Sequence, residues 1–230
     1  MLSVIVPSWR RYWMLEARCL PSILADPGAL EVIVVFDGPD PSGVAAVARV
    51  AAVDGRVRSL EIERPLYPAG KLDRWRSIGT SAVNAGLDAA AGDWLLIVDD
   101  DDEVAPGGIR ILAQAAARSS AGVVWGSTKI TWPDRGVTVT RAEDGPPAFR
   151  LFPRGAAMLR RSALAGRRFN PDAYQDDEPA DEAFWRGLVA AGVTFERIDG
   201  VVYHYFPTAS APAWSGPARS TGANAPVPAH

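Results

Sequence analysis

Among 230 residues there are one cysteine and two histidines. A single thiol excludes a disulfide scaffold, and Cys19, set among Leu15, Leu20 and Ile23, reads as a small packed hydrophobe on a helix. No apolar run approaches the roughly 20 residues a membrane-spanning helix requires, and the N-terminus enters a strand pattern directly instead of a leader peptide. The expectation is a cytoplasmic protein without a transmembrane segment. An excess of basic charge is also missing. The formal net charge is −3, which offers no electrostatic footprint for nucleic acid or anionic lipid. Nor does any Gly-x-Gly-x-x-Gly follow a strand, which disfavours a dinucleotide-dependent dehydrogenase.

What is present is unevenly distributed. Asp99 to Glu103 supply five carboxylates, and Asp172, Asp176, Asp177, Glu178, Asp181 and Glu182 supply six, so 11 of the 27 acids lie in two short stretches while bases exceed acids elsewhere. Acids this dense repel one another unless solvated or neutralised by a cation. Leu2–Val6, Glu31–Phe36 and Trp94–Val98 are continuous, β-branched-rich runs, predicting buried parallel strands. Between them, Tyr12–Leu24 (kinked at Pro21), Val44–Val53 and Thr80–Ala91 read as helices. The alternation predicts an α/β fold, a mostly parallel sheet flanked by helices.

Beyond about residue 120 the pattern becomes antiparallel. Segments 122–132 and 137–141 flank Pro133-Asp134-Arg135-Gly136 and predict a hairpin; 193–198 and 201–206, joined by Asp199-Gly200, predict a second. A helix over 180–191 packs Phe184, Trp185, Leu188 and Val189 on one side, and 207–230, rich in Pro, Ala, Ser and Gly, predicts a disordered tail. One domain over 1–206 is expected, with a ligand-binding half (1–120) and a smaller antiparallel half (121–206).

The strand Trp94–Val98 runs straight into Asp99-Asp100-Asp101-Asp102, placing carboxylates where open α/β sheets bind ligands. Alternate residues Asp99 and Asp101 share one side of an extended backbone and suit a hard cation such as Mg2+ or Mn2+ bridging a diphosphate. A calcium loop is excluded because its sixth position needs Gly and here holds Val104.

Leu2-Ser3-Val4-Ile5-Val6-Pro7-Ser8, then Glu31 to Gly38, then Asn84-Ala85-Gly86, and finally Ala91-Gly92-Asp93-Trp94 with Asp99 to Asp102 together resemble the family 2 glycosyltransferases of the GT-A fold. The resemblance implies an inverting, metal-dependent transfer of sugar from a nucleoside-diphosphate sugar, foremost a UDP-sugar, to a hydroxyl of a saccharide, lipid-linked sugar or small molecule. It implies that Pro7, Ser8 and Asp37 hold base and ribose, that Asn84 belongs to the donor site, and that Asp99 and Asp101 hold ribose and metal, with Asp100 beside them. This chain has Val83 where members often have Arg, so Lys71, Arg74, Arg76 and Arg11 are the candidates for the phosphates. Asp181, at the start of the helix over 180–191, matches the family's base, with Ala180 standing where Glu is common; Glu182, Asp177 and Glu178 remain in contention, and a plain helix cap is the simpler role. His204 matches a third metal or phosphate ligand, or else is a packed core residue. The alternatives to transfer are a catalytically silent nucleotide-sugar-binding relative and a sugar-phosphate nucleotidylyltransferase; the latter wants a Gly-rich basic loop that Pro7-Ser8-Trp9-Arg10 does not supply.

Overall fold

The computed structural model describes residues 1–28, 30–132, 137–141 and 153–207; the turn at 133–136 and residues 208–230 of the expected tail lie outside them. Strands β1 (Leu2–Ser8), β2 (Leu30–Phe36), β3 (Val57–Glu61) and β4 (Trp94–Ile97) pair in parallel in the order β3-β2-β1-β4. Their apolar runs are continuous because both faces are covered. Val4 and Val6 of β1 lie in one core with Leu15, Leu20, Ile23 and Val47, whereas Ile5 lies in the other with Val83, Leu87, Phe184 and Trp185. That is the period of two of a strand with a helical layer on each side.

Helical residues 12–24 come in three pieces: α1 (Tyr12–Met14), a π-helical stretch (Leu15–Cys19) and α2 (Leu20–Leu24). Pro21 has no N–H and its ring crowds the preceding turn, so the wider turn falls just before it. Helix α3 (Pro41–Ala51) begins three residues before the predicted start, because the Asp40 side chain accepts from the Gly43 amide at 3.0 Å and Pro41 suits the first turn. Helices α4 (Lys71–Ser77) and α5 (Thr80–Ala89) lead to β4. After β4 come β5 (Glu103–Val104), α6 (Gly108–Ala116), β6 (Val123–Trp132), β7 (Val137–Arg141), β8 (Ala157–Arg160), α7 (Arg161–Leu164), α8 (Ala180–Ala190) and β9 (Phe195–Tyr205).

The sheet continues β4-β8-β6-β9-β5, and β7 pairs with β6 as the predicted first hairpin requires. The second hairpin is corrected. Residues 195–205 form one strand parallel to β6, and Asp199-Gly200 sits where the register shifts. Gly200, at φ +116°, takes the backbone of a bulge, not of a chain reversal. The bulge lets one long strand run from the edge of β6 to the acidic run. Val189, expected on the packed side of α8, is 37% exposed.

Candidate active site

The carboxyl ends of β1, β2 and β4 converge, and each supplies a polar group. Residues 99–102 form a tight turn closed by the Asp102 amide donating to the Asp99 carbonyl at 3.1 Å. The turn sorts the four acids into two kinds. Asp100 and Asp102 point inward and are fully buried; Asp99 and Asp101 keep 28% and 15% of their side chains exposed.

Asp100 accepts from Ser8 Oγ at 2.7 Å and pairs with an Arg11 terminal nitrogen at 2.8 Å. Burial nevertheless pushes its pKa up to about 7, with Arg11 pulling the other way. Asp102 accepts from Tyr203 Oη and from the Phe206 amide, both at 2.7 Å, and burial raises its pKa well above the carboxylate range. Asp101 also takes a hydrogen bond from Arg11, and Arg18 donates to its carbonyl at 3.0 Å; burial raises its pKa, again against Arg11. Asp99 is ion-paired with Arg154.

Arg154 was not visible as a site residue in the sequence. It stands in a single 3-10 turn (Arg154–Ala156) before β8, and its guanidinium is held close to Gly79 at the start of α5. Gly155 allows this approach. A Cβ there would lie 2.0 Å from the Tyr203 ring, so any other residue would displace the ring that holds Asp102. Burial lowers the Arg154 pKa, but the charges of Asp99 and Asp181 more than offset it. Asp181, the second residue of α8, lies near enough for its charge to act on Arg154 and on Tyr205. Burial raises the Asp181 pKa, with Arg154 opposing. The Asp181 carboxylate accepts from the Glu182 amide at 3.0 Å within the first turn of α8.

At the end of β2, Asp37 is 1% exposed. Its Oδ2 accepts from Arg64 at 3.2 Å and from the Tyr67 hydroxyl, while Oδ1 is buried with no hydrogen-bond donor among the described residues. Burial raises the Asp37 pKa, partly offset by Tyr67 and Arg64. Arg64 also lies 3.9 Å over the Trp9 ring, so Trp9, Arg64 and Tyr67 form a stacked wall beside Asp37. Arg64 and Tyr67 carry no periodic signal, and only tertiary contact reveals them.

Other expected residues are placed differently. Asn84 donates to the Phe169 carbonyl at 2.8 Å and accepts from the Phe169 amide at 2.9 Å, so both ends of its amide clamp the chain. Arg76 pairs with Asp177 at 2.6 Å, Arg74 Nε donates to the Pro68 carbonyl at 3.1 Å, and Lys71 is exposed at the start of α4. Glu178 is held by Arg186. Pro7 is buried at the end of β1.

His204 is brought to Glu103 and not to the four aspartates. Successive residues of a strand face opposite ways, and Tyr203 and Tyr205 face the acidic turn. His204 therefore faces the other side, where its Nδ1 is 3.5 Å from Glu103. The residues available to a cation are Asp99 and Asp101. No cluster of three or more His, Cys, Asp or Glu forms a cage among the described residues. A Mg2+-like ion held by one or two carboxylates and completed by donor phosphates and water requires none, so the oxygen set fits.

In protein kept free of divalent cations, the buried acids set the pH dependence of stability. Asp100 titrates at about 7 when folded and near 4 when unfolded. Between those values the folded state binds more protons, so stability falls as pH rises. Melting in EDTA is expected to decline from pH 5 to pH 8, and Asp100→Asn to flatten the decline; an unchanged slope assigns it to other groups.

The chain matches the glycosyl transferase family 2 profile over residues 3–165. It is 36% identical to the succinoglycan biosynthesis protein ExoO of Rhizobium meliloti over 105 residues, 45% of this chain and 26% of that protein. It is 30% identical to the GalNAc(5)-diNAcBac-PP-undecaprenol beta-1,3-glucosyltransferase of Campylobacter jejuni over 122 residues, 53% of this chain and 36% of the relative. The chain thus spans only about a quarter to a third of these two relatives. In structure it is similar to S. aureus TarS residues 1–349 (TM-score 0.67, 17% identity, 89% of this chain and 60% of that one). It is also similar to the mannosyltransferase PcManGT of Pyrobaculum calidifontis, solved with GDP-Man and Mn2+ (TM-score 0.63, 18% identity, 93% and 58%). The fold is GT-A, and the chain belongs to glycosyl transferase family 2.

Proposed function

We propose that residues 1–206 form one inverting, metal-dependent glycosyltransferase domain that moves a sugar from a nucleoside-diphosphate sugar to an acceptor hydroxyl. The observation that carries this reading is the pair of partly exposed aspartates at the carboxyl edge of a parallel sheet, one of them ion-paired with Arg154, with a third acid, Asp181, near enough for its charge to act on that arginine. The nucleotide sugars bound to its structural neighbours, UDP-GlcNAc in TarS and GDP-Man in PcManGT, support a donor of this class, and we place UDP-sugars first.

The base of the nucleotide lies beside Asp37, against the wall formed by Trp9 and Arg64. Asp99 and Asp101 would hold a Mg2+ or Mn2+ ion, which would supply positive charge against the charge gathering on the departing diphosphate. Asp181 accepts the proton from the acceptor hydroxyl as that oxygen bonds to the anomeric carbon. The bond from that carbon to the phosphate oxygen breaks on the opposite side, and the nucleoside diphosphate leaves with the electron pair. Burial suits Asp181 to this work, since a raised pKa makes its carboxylate a better proton acceptor.

Melting temperatures with UDP, GDP, dTDP and CDP, each with and without Mn2+, test the reading. One of the four is expected to stabilise the chain only with the cation, by about 2.7 kcal/mol at a hundredfold excess over Kd. No rise with any of them would overturn it.

A further inference from the structure

Arg11 immediately precedes α1 and is 37% exposed, yet its two terminal nitrogens both face the acidic turn, one in an ion pair with Asp100 at 2.8 Å and one hydrogen-bonded to Asp101. These contacts occupy an oxygen of Asp101, the more enclosed of the two acids assigned to the cation. Burial by itself would lower the pKa of Arg11, but Asp100 and Asp101 more than offset it, so the guanidinium stays charged. A fixed positive charge beside Asp101 repels a divalent cation, and a carboxylate oxygen already engaged by a guanidinium is a poor ligand; Arg154 engages one oxygen of Asp99 in the same way, so the release of Asp101 is what adds a second ligand to the remaining oxygen of Asp99. The only anion in the reaction that offers Arg11 an equivalent fork partner is the diphosphate of the donor, because guanidinium binds carboxylate and phosphate with the same two-pronged geometry.

Resting on the function proposed above, we infer that Arg11 is a positioning residue that exchanges partners: it closes the acidic turn when the site is empty and turns to the diphosphate when the donor enters, freeing Asp101 for the cation. The exchange couples the two ligands. The cation binds weakly to the nucleotide-free chain and tightly once a nucleotide has drawn Arg11 away, and by reciprocity the cation strengthens the nucleotide. The empty site is thereby kept from binding cations without donor.

Titrating Mn2+ into the full chain, with the free ion followed by its paramagnetic resonance, tests this without any turnover. Arg11→Met is expected to raise the Mn2+ affinity of the nucleotide-free protein about tenfold and to weaken UDP binding about tenfold in saturating Mn2+, within the 5- to 150-fold range usual for coupled sites. Arg11→Lys keeps the charge over Asp100 but loses the fork, and is expected to fall between the two; it serves as the reading if the Met variant does not fold. An unchanged or weaker nucleotide-free Mn2+ affinity in the folded variants, with cation-dependent nucleotide binding intact in the wild type, would overturn the partner exchange alone. No Mn2+ binding by the wild type, with or without UDP, GDP, dTDP or CDP, would overturn the metal-dependent reading on which it rests.

Discussion

Asp181→Asn is expected to keep nucleotide and Mn2+ affinity within about twofold of wild type while transfer falls by about 10²–10⁴-fold, the usual worth of a positioned general base. The amide still accepts from the Glu182 amide, so the start of α8 is preserved, but it cannot take a proton. Removing one negative charge also leaves Asp99, the ion-pair partner of Arg154, as the acid that chiefly acts on that guanidinium. Single-turnover transfer from a UDP-sugar, measured beside binding of the nucleotide, separates the proton from the contact. A variant that transfers at the wild-type rate would return Asp181 to a helix-capping role. The contact between Arg186 and Glu178 makes that acid a poor substitute, so Glu178→Gln is expected to leave transfer largely intact.

Asp101→Ala is expected to abolish the Mn2+-dependent part of nucleotide binding and to lower transfer by about 10³-fold, comparable with loss of one preorganised electrostatic contact to developing charge. Asp101 is the more enclosed of the two exposed acids and shares Arg11 with Asp100, so its removal takes away a ligand and one of the two anchors of that guanidinium. Asp102→Ala provides the contrast. Its carboxylate holds the Tyr203 hydroxyl and the Phe206 amide, so its loss is expected to lower the melting temperature without selectively removing Mn2+ dependence. Calorimetric titration of UDP with and without Mn2+ distinguishes the two. If Asp101→Ala keeps full cation-dependent binding, the cation is not held there.

The parallel half of the fold was legible because burial on both faces forces strands into continuous apolar runs, as in Leu2–Val6 and Trp94–Val98. The antiparallel half was less so. β8 is four residues long, too short to be read alone, and even in the parallel half β3 has only one buried side chain and leaves no pattern. Asp199-Gly200 looked like a hairpin turn because the same residue types serve a turn and a bulge, and only the partner strand β6 distinguishes them.

The site divides along the same line. The four aspartates after a buried strand, Asp37 after its neighbour and the helix carrying Asp181 could be read from the chain, because each sits within a few residues of a periodic element. Which acids face inward could not, since the turn at 99–102 and contacts from Ser8, Tyr203 and Phe206 decide it. Arg154 lies 55 residues from Asp99, and His204 is turned aside by the register of β9. The order of strands, helices and carboxylates along the chain was determined by the sequence alone, because local burial and local chemistry leave a mark every two or four residues. Which guanidinium neutralises which carboxylate was decided only by the tertiary structure, because a charge paired across the sheet leaves no period in the chain that carries it.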